Sequence, residues 1–314
     1  MTTSNSLYHI DTSSQLYGYE NMFNNLVRLY DNGNLPKISL ISGDKGIGKF
    51  TLIFHFVAYI FSKNNKNSYD IEKNLIYDDN LITNKIKSKT FQNFIYFPNE
   101  DRNKLSIEQI RSIKKNLSSS TLDNNPRFIV FDDVEFLNNN VVNSLLKMLE
   151  EPNQKNYFIL INNKKNKLIE TLRSRSIETK IFLNHEQKKN ILNKLLISKK
   201  INNHFCFEHL DLTTPGMIIK FQRILSDINA VPESSFYELT SQLLDKYKKD
   251  KEDIYIECIK FLLEIKCVKN NFSTKKNIFS SLSLKNNILK VLYNYKKFSL
   301  TNNSVLKQVK NFIN

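Results

Sequence analysis

Apolar residues in the first half of the chain switch between two spacings, the three-and-four rhythm of an amphipathic helix and the short unbroken run of a strand buried on both faces. ENMFNNLVRLYDNG has the helical spacing and closes at Gly33; after Pro36, KISLISG reads as a buried strand. TLIFHFVAYIF fits strand or helix by composition, and the glycine loop directly before it decides for helix. Residues 63–90 are polar and predict a solvated insertion, and FIYFPN at 94–99 a short strand. SIEQIRSIKKNL carries Ile107, Ile110, Ile113 and Leu117 on one helical face, with Ser106 and Gln109 at the spacing of a capping box. RFIVFDD, VVNSLLKMLEEP, YFILINN, KLIETLRSR and IETKIFL then read as strand, helix, strand, helix, strand. The first of these helices has Val142, Leu145, Leu146 and Leu149 as its stripe and a stop at Pro152. Repeated strand-helix order predicts an α/β domain whose mostly parallel sheet is covered on both faces.

From about residue 185 the strand-like runs stop and helical spacing takes over. HEQKKNILNKLLISKK, PGMIIKFQRILSDI and SSFYELTSQLLDKY read as helices, as do much of 251–268 and 283–313, and a break containing Pro232 separates a small helical domain from a larger one. The expected domains are residues 1–184, 185–229 and 230–314. A length of 314 residues suits two or three such units.

Composition adds little to this and excludes some classes. The opening MTTSNSLYHID lacks the apolar core of a secretion signal, and LIFHFVAYIF is too short to cross a bilayer, so a cytoplasmic protein with no membrane partner is expected. Three cysteines, Cys206, Cys258 and Cys267, have no paired spacing and are expected as buried free thiols. The formal charge of +15 would suit a polyanionic partner, but lysine and asparagine are plentiful everywhere and seven arginines are too few for shaped phosphate recognition over the whole surface. Residues 265–314 are the exception to the scatter, with ten lysines and no acid, a stretch able to attract DNA.

Chemistry concentrates at three places. In GDKGIGKFT, residues 43–51, Gly43, Gly48 and Lys49 have the spacing of a phosphate loop, with Gly46 inside it; the glycines let backbone N–H groups converge on phosphate oxygens and the lysine neutralises them. The hydroxyl that should follow the lysine to bind Mg²⁺ is replaced by Phe50, and Thr51 is one position late, about 100° around the helix. The loop thus reads as scaffold with weak or no catalysis. FIVFDD ends in Asp132, placed to hold Mg²⁺, and Asp133, one methylene shorter than the glutamate expected to activate water. An acidic pair at a strand end is also an ordinary helix cap or solvated turn. LRSRS holds Arg173 and Arg175; an arginine at a helix end either reaches a neighbouring subunit's nucleotide as an arginine finger or answers its own helix's carbonyls.

GDKGIGKFT, FIVFDDVEFLN, NSLLKMLEEP and TLRSRS in this order resemble the AAA+ clamp-loader family of bacterial DNA polymerase III, most specifically its delta-prime branch, over residues 16–183. Beyond that, the helical remainder matches a lid and a collar in length and type only. The resemblance implies an AAA+ P-loop NTPase-like domain, then a small helical lid and an all-α collar. It implies a subunit of the five-membered ring that places the sliding clamp on primed DNA, with gamma or tau and delta subunits as partners. It further implies a degenerate nucleotide site at Gly43, Gly46, Gly48, Lys49, Thr51, Asp132, Asp133 and Asn163, the last at the sensor position, with at most weak binding of ATP and Mg²⁺. Arg175, in the family's Ser-Arg-Cys motif with Ser176 replacing the cysteine, is implied as the finger acting in trans. Residues 63–93 hold no cysteine, so the zinc module of some members is not expected, and TTPGMIIKFQ lacks the lid arginine of motor subunits.

Three other readings stay open at this point. An active gamma-type ATPase would need Phe50 and Asp133 tolerated and the lid arginine replaced. A nucleic-acid-binding replication accessory would act through the basic C-terminal region, with steep salt dependence. An unrelated phosphate-loop enzyme has no support outside the loop.

Overall fold

The computed structural model describes residues 12–63, 68–98, 105–118, 125–150, 155–201, 210–231, 234–270 and 275–313. Pro152, Cys206 and Pro232, singled out in the sequence, lie outside them. The chain divides into two compact units, Met1–Gln187 and Lys188–Asn314.

The first unit is built on five parallel strands, β1 (Ile38–Ser42), β2 (Phe94–Phe97), β3 (Arg127–Phe131), β4 (Asn156–Asn162) and β5 (Ile177–Lys180), in the order β2-β3-β4-β1-β5. Strand residues alternate between two cores. Ile41, Phe128, Val130, Ile159 and Ile161 meet α1 (Glu20–Asp31) and α2 (Lys49–Ser62) on one face. Leu40, Ile129, Phe131, Phe158 and Leu160 meet α4 (Ile107–Ser118), α5 (Asn139–Leu149) and α6 (Glu170–Ser174) on the other. A strand with both side-chain sets buried must be apolar, which is why β3 and β4 carry unbroken apolar runs, whereas the edge strand β5 is polar and largely exposed. The Ser106–Gln109 box forms reciprocally, the Ser106 N–H donating to Gln109 Oε1 at 2.8 Å and the Gln109 N–H to Ser106 Oγ at 3.2 Å. Val142, Leu145, Leu146 and Leu149 are all buried.

The polar stretch 63–90 corrects the expectation of a solvated insertion. Its described part contains α3 (Leu81–Lys87), capped by the Asn80 side chain, which accepts from the N–H groups of Ile82 and Thr83. Tyr69, Ile76 and Ile86 are buried in the core shared with α1 and α2. Burial of Tyr69 positions its hydroxyl 3.0 Å from Nδ1 of His55, a fully buried residue of α2.

After β5 the described residues form six helices, α7 (His185–Lys199), most of which lies in the second unit, and α8 (Pro215–Asp227), α9 (Phe236–Asp250), α10 (Asp253–Asn270), α11 (Lys275–Phe298) and α12 (Asn302–Ile313), which lie wholly within it. Ile218 and Ile219 of α8 pack with Leu192 and Leu196 of α7, while Met217, Phe221 and Leu225 of α8 join the core of α9 to α12. Cys258 and Cys267 are buried free thiols in that core. Among the described residues no helix is long and apolar enough to cross a membrane.

Candidate functional site

On one side of β4, β1 ends in the glycine loop; on its other side, β3 ends in the acidic pair. A loop leaving β1 next to one leaving β4 is where open α/β sheets form a ligand crevice. Gly48 caps α2 at φ +100°, a conformation that side chains resist, and a Cβ there would lie 3.2 Å from the Tyr19 ring. A Cβ on Gly43 would meet the Ile181 carbonyl oxygen at 2.7 Å and the Ile47 side chain at 2.6 Å. The Tyr19 hydroxyl donates to the Ile47 carbonyl at 2.5 Å, so a residue of the preceding segment braces the loop from outside.

Lys49 is turned inward. Its Nζ donates to the carbonyls of Gly43 at 2.6 Å and Asp44 at 2.8 Å, and the residue is 3 % exposed. Burial pushes the ammonium down to about 8, against the pull of Asp132, Glu135, Asp133 and Asp44. The loop lysine is satisfied by the loop itself.

Phe50 packs against Tyr96 of β2 with ring centroids 4.3 Å apart and the rings tilted by 40°, and Phe54 and Phe94 flank it. The Tyr96 hydroxyl donates to Asp132 Oδ2 at 3.0 Å. Asp132 Oδ1 accepts the Asp133 N–H at 2.8 Å and the Asn163 amide Nδ2 at 3.0 Å, so both carboxylate oxygens are engaged. Burial, with the Asp133 charge second, raises the Asp132 carboxyl above the usual range. Asp133 adopts a left-handed φ of 51° before a 3-10 turn at Val134–Phe136, and its side chain caps nothing there. Instead its Oδ1 accepts Asn163 Nδ2 at 2.6 Å and its Oδ2 lies 3.7 Å from Lys45 Nζ.

Gly43, Gly46, Gly48, Lys49, Asp132, Asp133 and Asn163 are therefore brought to one place. Thr51 lies half-buried one position along α2 from Phe50, where the helix turns it about 100° from the metal-facing position. These donors do not fit a magnesium–nucleotide complex: an aromatic ring stands where a metal-binding hydroxyl is needed, and the metal-holding carboxylate is committed to a tyrosine and an asparagine. Among the described residues no group of three or more His, Cys, Asp or Glu is arranged to hold a metal.

Four contributors were not singled out in the sequence: Tyr19, Lys45, Tyr96 and Glu135. The buried Glu135 accepts the N–H groups of Asn163 at 3.1 Å and Lys165 at 3.3 Å, holding the turn after β4, and burial raises its carboxyl. Lys45 and Glu135 lie within or beside the motifs, but the contacts that give all four their part join residues far apart in sequence.

Arg175 lies elsewhere. It follows α6 and precedes β5, whose Ile177 pairs with Ser39 near the start of β1, whereas the glycine loop leaves β1 after Ser42. The two places are at opposite ends of the sheet, roughly 10 Å or more apart at a strand's rise per residue. Arg175 Nη1 donates to the Thr171 carbonyl and Nη2 to Glu150 Oε1, each at 3.3 Å, with the side chain 40 % exposed. Arg173 donates from Nε and Nη2 to Glu178 Oε2 at 3.1 and 3.0 Å.

A parallel sheet of this order, with a glycine loop after its central β1 and an acidic end on β3, defines a P-loop NTPase-like protein of the AAA+ type. A DNA polymerase III gamma subunit-related protein from Thermotoga maritima MSB8 has the same fold, with a TM-score of 0.53 at 16% identity over 90% of this chain and 96% of that one. The family model described as DNA polymerase III, delta subunit matches residues 18–184, and the chain belongs to that family. Within it the chain is delta-prime-like: it is 26% identical over 272 residues to DNA polymerase III subunit delta' of Buchnera aphidicola subsp. Schizaphis graminum, covering 84% of this chain and 80% of that protein. The gamma subunit of the same organism is 31% identical over 192 residues, 60% of this chain and 50% of that protein.

Proposed function

We propose that the chain is a non-motor, delta-prime-like subunit of a DNA polymerase III clamp loader, which does not itself turn over ATP and lends Arg175 to the nucleotide site of an adjoining subunit. The observation that carries this reading is the separation of its two functional ends. Lys49 is bonded to carbonyls of its own loop, and Asn163 is bonded to both Asp132 and Asp133, while an exposed arginine stands at the far end of the sheet, away from the chain's own loop. An arginine so placed acts on another molecule or on none. Its planar fork matches phosphoryl oxygens and stabilises the charge that develops as the terminal phosphoryl group is transferred. Arg173 is the poorer candidate, since Glu178 takes two of its N–H groups.

In this reading residues 1–184 form the AAA+ domain, 185–229 the lid and 230–314 a collar that joins the ring, and the sliding clamp and primed DNA are met through the assembled complex in the cytoplasm. Similarity to a gamma subunit favours an active motor as the second reading; the Phe50–Tyr96 ring contact and the engaged Asp132 count against it. Two measurements test the proposal together. The purified chain should give no steady ATP turnover, and it should copurify with the gamma-type subunits of its own loader. Steady hydrolysis by the chain alone overturns the non-motor reading, and failure to join the loader overturns the subunit assignment.

A further inference from the structure

We infer that Glu150 is a positioning residue for Arg175, an inference that rests on the trans-acting role proposed above. Glu150 is the C-terminal cap residue of α5, and a carboxylate there faces the negative end of the helix dipole, where a lysine or arginine would be favoured. Helix chemistry therefore does not explain it. The charged group that answers it is Arg175, whose Nη2 donates to Oε1 at 3.3 Å. The contact joins the two stretches that were most distinctive in the sequence, the end of NSLLKMLEEP and the TLRSRS turn, 25 residues apart.

Arg175 needs such a partner. Its backbone is anchored by a helix of five residues, and the side chain is long and partly exposed. The Thr171 carbonyl holds one terminal nitrogen of the guanidinium and Glu150 the other. Two acceptors fix the plane of the fork and leave further N–H groups to face a neighbouring molecule. Exposure of 40 % for Arg175 and 53 % for Glu150 keeps the pair weak, enough to bias the arginine's conformation by up to about fivefold without competing with a phosphate for it. Glu150 thus pre-orients the finger and does not sequester it.

The test uses the fully assembled loader carrying variants of this chain, with ATP turnover, KM for ATP and the melting temperature of the variant chain read side by side. Glu150→Ala should lower kcat at the affected site about three- to fivefold with KM unchanged. Glu150→Gln, which keeps an acceptor oxygen, should recover most of the loss. Glu150→Lys should lower kcat further by repelling Arg175 while leaving melting unchanged or higher, because a cation suits the end of α5. In an Arg175→Ala background none of the three should matter. If Arg175→Ala lowers turnover but Glu150→Ala and Glu150→Lys keep the parental kcat, or if their kcat losses follow melting temperature, Glu150 is not a positioning residue. If Arg175→Ala itself changes nothing, the trans-acting role fails, and this inference with it.

Discussion

Replacing Phe50 by threonine restores the hydroxyl that a phosphate loop normally presents to Mg²⁺, and the structure predicts that the restoration yields no ATPase. Phe50 is half-buried against Tyr96, Phe54 and Phe94, with its ring 4.3 Å from that of Tyr96. Removing it forfeits about 1 kcal/mol of aromatic pairing and about as much again from part-buried apolar area, so Phe50→Thr should lose about 2 kcal/mol. Meanwhile Asp132 still accepts from Tyr96 and Asn163, and Lys49 still donates to Gly43 and Asp44. The new hydroxyl is added to a loop whose Asp132 is already engaged and whose Lys49 is buried. Urea denaturation of the variant should show a lower midpoint with an unchanged slope, and a coupled phosphate-release assay should stay at background. A variant that hydrolyses ATP robustly would refute the reasoning, because it would mean that Asp132 and Lys49 were available all along and that Phe50 alone closed the site.

Other perturbations follow from the same framework. His55 is fully buried, its Nε2–H donating to the Ser13 carbonyl and its Nδ1 accepting from Tyr69, and burial lowers it to about 4. A folded-state value below the unfolded value of about 6.5 leaves stability intact above pH 6.5 and erodes it as pH falls towards 4, by about 3 kcal/mol in all. His55→Gln should flatten that slope between pH 6.5 and 4; an equal slope in both proteins would remove His55 as the cause. Gly43→Ala should cost about 2 kcal/mol by overpacking, since its Cβ meets a backbone carbonyl that cannot retreat. Alanine at Gly33, where nothing lies within 4 Å but φ is +70°, should cost only about 1 kcal/mol. Equal denaturation midpoints for the two variants would contradict this difference.

The order of strands and helices was legible because each buried strand of the sheet is apolar on both faces and each covering helix carries its stripe at helical spacing, as Phe128 to Phe131 and Val142 to Leu149 illustrate. Residues 63–90 were not legible in this way. Their buried members Tyr69, Ile76 and Ile86 follow neither period, so a polar composition concealed a folded segment. At the site, Gly43, Lys49 and Asp132 announce themselves by spacing within a motif, and the substitution at Phe50 was visible too. What could not be read was that Tyr96 takes up Asp132, that Tyr19 braces the glycine loop at Ile47, or that Glu135 holds Asn163. Those pairings depend on strand order. The same limit applied to Arg175: both it and Glu150 stood in conspicuous stretches, and only the packing of α5 beside α6 puts them within reach.

The central claim, that a chain without its own ATP turnover serves a neighbour's, is tested most directly by the rate of clamp loading in an assembled loader carrying Arg175→Ala, with Arg173→Ala and Arg175→Lys alongside. Loss of a finger should slow hydrolysis at the one affected site by roughly 10³ to 10⁵. Clamp loading should therefore fall sharply, while DNA-stimulated ATPase of the whole complex declines without vanishing. Lysine at 175 should rescue poorly, because a point charge cannot reproduce the fork, and Arg173→Ala should stay near the parental rate, since that side chain is held by Glu178. Normal clamp loading by an intact complex carrying Arg175→Ala would contradict the account.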